Sequence, residues 1–243
     1  YDATNGWVDQ DAVMTDVSVT LNKRQGVPVT FNSETLSSTA RRLFEEIAPA
    51  QAYALAKSMV DALYALITSG NYSNATTQAQ NGFARSTVIG MGVALNKRGV
   101  PQGAQNRTLL LNSDYFGTLA SDSAIVTLAA YQKPEIIEAG TLPDVHGFSV
   151  VDAPNLPTTG NLTGFGFSKS ALLIVARPDS DYTNILPGAS YGNVQQVTDP
   201  DLGLTVTQVQ YVNHQLATAT QRISLLYGVA KGQVAAGQRL VSA

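Results

Sequence analysis

DVSVTLNKRQGVPVTF at 16–31 is the stretch on which the reading of the fold turns, because its apolar residues alternate on both sides of a polar, basic middle. Val17, Val19 and Leu21 point one way and Ser18, Thr20 and Asn22 the other; after Lys23-Arg24-Gln25-Gly26, the residues Val27, Val29 and Phe31 resume the alternation. That pattern predicts a β-hairpin whose tip is 23–26. A two-stranded hairpin is marginal by itself in water, so this one needs a third surface, on its own chain or on a neighbour. The string LNKR recurs at 95–98, but in other company. There FARSTVIGMGVAL at 83–95 spaces Phe83, Thr87, Met91 and Leu95 four apart, which predicts a helix, and Gly99 with Pro101 ends it. The two copies share punctuation, a turn in one place and a helix stop in the other, and do not mark an internal repeat.

Outward from the hairpin the pattern becomes helical. In LSSTARRLFEEIAPAQAYALAKSMVDALYALITSG at 36–70, Leu43, Ile47, Ala50, Ala54, Met59, Ala62 and Leu66 fall near helical spacing, up to Gly70. Pro49 is expected to break this run, leaving a long helix over about 50–69 with a face of small residues at Ala52, Ala56 and Ser58. Residues 70–82 read as a polar connector. RTLLLN at 107–112 is an apolar run followed by Ser113, a predicted N-cap for a short helix through Leu119. GFSVV at 147–151 and GFGFSKSALLIVARP at 164–178 are strand-like, and 202–212 and 221–230 alternate as paired antiparallel strands. Helices and strands mix without a regular βαβ rhythm, so the fold class is α+β.

Charge is the unusual part of the composition. Of the 243 residues, 14% are Asp, Glu, Lys or Arg, against about 25% in an ordinary domain. Such scarcity means either a surface of uncharged Ser, Thr, Asn and Gln or extensive burial against other subunits, whose interfaces are poor in charge, and the second is the favoured reading. The net charge of −3 and the lack of any Lys/Arg cluster longer than two predict no sequence-specific nucleic-acid binding. There is no cysteine, which removes disulfides, thiolate metal sites and cysteine nucleophiles. No apolar run approaches the roughly 18 residues of a membrane span, so no membrane partner is expected. Because the chain opens on Tyr1 and not on methionine, the expectation is a fragment or processed product with a segment missing ahead of it.

One enzyme motif is present. Gly188-Ala189-Ser190-Tyr191-Gly192 fits G-x-S-x-G, and Asp199 or Asp201 and then His214 follow in hydrolase order. The motif needs a strand before it and a helix after it, whereas Pro187 precedes and NVQQV follows. A glycine-rich loop is the favoured reading and a serine hydrolase using Ser190 the rival one. His146 and His214 are isolated, without metal-ligand spacing, and Glu135 and Glu138 sit three apart as on any solvated helix face. No catalytic residue, cofactor or metal is expected.

The order of these pieces resembles the major capsid proteins of tailed phages, the Hong Kong 97-type (HK97-like) fold, over essentially the whole chain. The stretches that carry the resemblance are VTLNKRQGVPVTF at 19–31, AYALAKSMVDALYAL at 52–66, RTLLLNSDYFGTL at 107–119, HGFSVVDAPNLP at 146–157, GFGFSKSALLIVARP at 164–178, and the closing DPDLGLTVTQVQYV and ISLLYGVAKGQVAAGQRL. The resemblance implies a structural protein, not an enzyme, that self-assembles into hexamers and pentamers of an icosahedral shell. It further implies an extended loop at 1–32, a peripheral domain with a spine helix at 33–80, an axial domain at 81–189, a long peripheral β-hairpin at 190–226 and a return to the axial domain at 227–243. The expected assembly interface is the hairpin, through Val17, Val19, Leu21, Lys23, Arg24, Val27, Val29 and Phe31. Partners implied besides other copies are scaffolding, portal and decoration proteins, and the implied location is the virion of a bacteriophage or prophage, assembled in the cytoplasm of a bacterial host. An encapsulin-like nanocompartment shell shares the fold and is the alternative.

Overall fold

A computed structural model describes residues 16–38, 42–126, 141–178, 193–199 and 203–243. They form two five-stranded sheets, each carrying helices. The strands are β1 (Lys23–Asn32), β2 (Ala75–Thr77), β3 (Arg107–Leu111), β4 (Ser149–Asp152), β5 (Leu162–Ser168), β6 (Leu172–Arg177), β7 (Asn193–Thr198), β8 (Thr205–Asn213), β9 (Thr218–Lys231) and β10 (Gly237–Val241). The helices are α1 (Ser33–Ser38), α2 (Leu43–Tyr64), α3 (Arg85–Asn96) and α4 (Ser113–Ala120). The mixture without βαβ repetition is the α+β class that the sequence predicts.

The first sheet is built around β9, whose 14 residues alternate between two faces. β1 pairs antiparallel along one edge, from Lys23 opposite Tyr227 to Asn32 opposite Thr218. Along the other edge β8 pairs with the first half of β9 and β6 with the second, and β7 continues outward from β8. The expected pairing of 202–212 with 221–230 is thus present as β8 and β9.

The hairpin at 16–31 is not. Among the described residues, 16–22 form no strand, and Lys23-Arg24-Gln25-Gly26 lie inside β1 instead of at a tip. The reason lies in β9, which offers β1 a ladder of ten residue pairs, and in Gly228. A side chain at Gly228 would strike the carbonyl of Thr20, so the chain just before β1 rests directly on β9 at this glycine. Tyr227 faces α2, so its neighbour Gly228 opens on the opposite face, and 20–21 cross the sheet there.

α2 is one helix with Pro49 inside it, and not the expected two. Pro49 is the seventh residue of α2, so only one hydrogen bond, its own to the first turn, is lost. Its buried stripe is Gln51, Leu55 and Met59, four apart, while Ala50 and Ala54 of the expected face are exposed.

The second sheet has the order β2-β10-β5-β3-β4, with β2/β10 and β3/β4 parallel and the inner pairs antiparallel. It carries the larger core, with Leu109, Leu111, Phe165 and Leu240 of the strands buried against Met91 and Leu95 of α3 and Leu119 of α4. α3 ends as expected: Gly99 has φ +74 and the Val100 N–H donates back to Leu95 O at 3.2 Å. α4 begins one residue earlier than expected, with Asn112 and not Ser113 as its cap, its Oδ1 accepting from Tyr115 N at 3.1 Å.

The two LNKR strings end in different environments. Arg24 lies on exposed β1, whereas Arg98 donates to Gly237 O at 3.1 Å and Gln238 Oε1 at 2.6 Å, tying the end of α3 to β10. Two strand pairs join the sheets. β5 runs into β6 and β9 runs toward β10, and the connectors bond to each other through Gly232 N to Ala171 O (2.7 Å) and Gln233 N to Ser170 O (2.8 Å). β9 passes unbroken through 226–227, where a change of domain was expected, and β6 pairs with it although 172–177 fall in the expected axial span.

Candidate assembly interface

The face of the first sheet that receives α2 is set by alternation. Ile223, Leu225 and Tyr227 of β9 point toward the helix and bury against Leu55 and Met59. Val27 and Val29 stand opposite Ile223 and Gln221, and Phe31 meets Phe44 of α2 edge-on at 5.2 Å, so these three predicted interface residues serve the chain's own fold. The remaining five sit elsewhere: Val17, Lys23 and Arg24 are exposed, and Val19 and Leu21 are half-buried where the chain crosses the sheet.

Polar groups fix the register of α2 on this face. Gln51, 2% exposed, donates through Nε2 to Val27 O at 2.9 Å and Gln221 O at 3.2 Å. Gln221 Nε2 donates back to Gln51 Oε1 at 3.0 Å, and Gln210 Nε2 donates to Gln221 Oε1 at 2.8 Å. The amide chain therefore links β8, β9, α2 and β1, and each amide held this way removes a desolvation cost that an apolar misfit would leave. Sequence periodicity gave no sign of it, since glutamines in a helix and two strands look like surface residues.

Large apolar groups remain exposed around this framework. Tyr53 (69% exposed) and Val60 lie seven apart on the outer side of α2. Tyr211 and Val212 at the end of β8, Leu216 (70% exposed) in the turn to β9, and Val197 on β7 extend the set. A cavity of about 560 Å³ opens between α2 and the β7–β8 edge, lined by Leu55, Met59, Val197, Val206 and Ile223 among others. Ala52 and Ala56 of the expected small face line it too, whereas Ser58 turns to β9, its Oγ 3.3 Å from the Tyr227 hydroxyl. Apolar surface on this scale, on a chain this poor in charge, is the chemistry of a protein contact.

The candidate enzyme groups are not assembled by the described residues. Ser190 and Asp201, with the rest of 188–192, lie outside them, as do Glu135 and Glu138. His214 is exposed in the β8–β9 turn, and His146 occupies a turn of its own with φ +48. Among the described residues no three His, Cys, Asp or Glu side chains come together as metal ligands, and no helix is long and apolar enough to cross a membrane.

No protein-family model matches the chain, and no curated protein matches it in sequence. Solved structures do match, along nearly its full length. A chain from the capsid of cyanophage P-SCSP1u superposes with a TM-score of 0.65 at 11% identity, covering 99% of this chain and 80% of that one. A chain of Mycobacterium phage Che8 gives 0.62 at 18% identity over 98% and 78% of the two chains. The mature capsid of bacteriophage PhiM1 gives 0.58 at 9% identity over 99% and 77%. At such identities the likeness is one of fold, and by it this chain has the Hong Kong 97-type fold of tailed-phage capsid subunits.

Proposed function

We propose that this chain is a structural subunit of an icosahedral phage or prophage capsid, which assembles with copies of itself through hexamers and pentamers to enclose a genome. The observation that carries this reading is the whole-chain likeness to capsid structures; the low charge and the exposed apolar groups of α2, β7 and β8 support it. In this reading the sheet of β1 and β6–β9 with α2 is the peripheral domain and the sheet of β2–β5 and β10 with α3 and α4 the axial one. With the backbone of 20–32 held on β9, the side chains of Val17, Lys23 and Arg24, and with them Val19 and Leu21, face a neighbouring subunit, while Val27, Val29 and Phe31 hold β1 to its own chain. The product belongs to the virion, with scaffolding, portal and decoration proteins as further partners.

Light scattering with negative-stain imaging of the purified protein, alone and co-expressed with the scaffolding protein of its gene cluster, tests the proposal. Rings or closed shells are the expected result, with nucleic acid inside particles recovered from producing cells. A strict monomer under every condition overturns it, and shells filled with an enzyme instead of nucleic acid favour the encapsulin-like alternative.

A further inference from the structure

The arginines in and beside the second sheet are satisfied unequally. Arg98 donates to three acceptors, Ala94 O, Gly237 O and Gln238 Oε1. Arg107 donates to Pro101 O, Gly92 O, Asn96 Oδ1 and Val100 O. Arg239 on β10 is 9% exposed, yet among the described residues its guanidinium makes one hydrogen bond, from Nε to Tyr72 O at 2.6 Å. Its two terminal nitrogens, which carry four N–H donors, have no acceptor there.

Arg239 lines a cavity of about 490 Å³ beside the end of α2, with the hydroxyl residues Thr68, Ser69 and Thr159 and the glycine Gly160. No carboxylate is among the lining residues. Thr68 Oγ1 accepts from Asn71 N at 3.3 Å and keeps its own O–H to donate. The Nε bond to Tyr72 O fixes the guanidinium plane and leaves its terminal nitrogens open on this cavity, and such a plane matches the two oxygens of a carboxylate or phosphate. We infer that this cavity is an oxyanion site, in which Arg239 holds a carboxylate or phosphate through its terminal nitrogens and Thr68 and Thr159 donate to the same oxygens. The oxyanion comes either from an Asp or Glu side chain of a second copy of this chain or from a free anion in solution.

The test is ¹⁵N-detected NMR of the guanidinium groups in the dispersed subunit, with chloride replaced at constant ionic strength by acetate and, separately, by inorganic phosphate. The Arg239 signals, assigned by their loss in Arg239→Lys, are expected to shift saturably with at least one of the two anions. Thr159→Val, which leaves Arg239 and its bond to Tyr72 in place, is expected to weaken that response. Absence of a saturable shift with both anions in the wild-type subunit overturns the inference, whatever the variants do. Assembled particles then separate the sources: signals already at the bound position and indifferent to acetate identify a neighbour's carboxylate, and continued titration identifies a free anion.

Discussion

Tyr72 shows how one buried group makes the fold answer to pH. Its ring is buried against Phe165 at 4.9 Å, its hydroxyl donates to Ala171 O at 2.5 Å, and burial pushes the phenol up to about 12 from its ordinary 10.0. A raised phenol pKa means that the neutral form is the one the fold stabilises, so this contribution is complete below pH 10 and is lost as the pH rises through about 12. Tyr72→Phe keeps the ring contact and loses about 1 kcal/mol of hydrogen bonding at neutral pH. Urea unfolding across the alkaline range is expected to show a falling stability for the wild type and a flatter limb for the variant. Ala171 O is not orphaned by the change, because Gly232 N also donates to it. At this scale the sequence was legible where backbone geometry demanded a residue type, as at Gly99 closing α3. It was not legible where a side chain found a distant partner: nothing local distinguishes Gln51 or Arg239 from solvated residues, and their roles come from sequence separations that pattern reading does not span.

Among the elements, β1 separates what alternation fixes from what it leaves open. The facing of Val27, Val29 and Phe31 to one side was read correctly from period two, but the partner strand was not, since alternation names a face and not the edge that a strand will join. The nearest sequence neighbour lost to β9, nearly two hundred residues later, because β9 supplies a longer ladder and a helix-covered face. Gly228→Ala tests the crossing at Thr20. A methyl group there meets backbone and not a movable side chain, so a loss of about 1–3 kcal/mol in stability is expected from denaturant unfolding. A second comparison divides the predicted interface set. Val17→Asp is expected to leave the circular dichroism and melting temperature of the dispersed subunit unchanged while stopping assembly; Val29→Asp, facing α2, is expected to lower that melting temperature before assembly is reached. Equal behaviour of the two variants would contradict the division. Pro49 teaches the same lesson for helices: the residue signals a break, but near a first turn the loss is one bond, and the packing of Leu55 and Met59 on the sheet carries α2 through it.

At the scale of the whole molecule, the order of elements was more informative than any one of them. No segment carries a motif of high specificity, yet helix, strands and closing sheet follow one another as in capsid subunits, and the superposition spans 98–99% of the chain. Membership of the sheets was harder to read, because β2 and β10, and β1 and β9, are brought together across more than 150 residues of sequence. The joint between the sheets has a mechanical meaning. β5 with β10 and β6 with β9 form antiparallel pairs whose connectors also bond to each other, so one two-stranded ribbon runs through both sheets. Ladder bonds lie across such a ribbon, so a pull along its length loads them in shear together instead of unzipping them in turn. A load along this ribbon is therefore shared by both sheets, because the same two strands run through them.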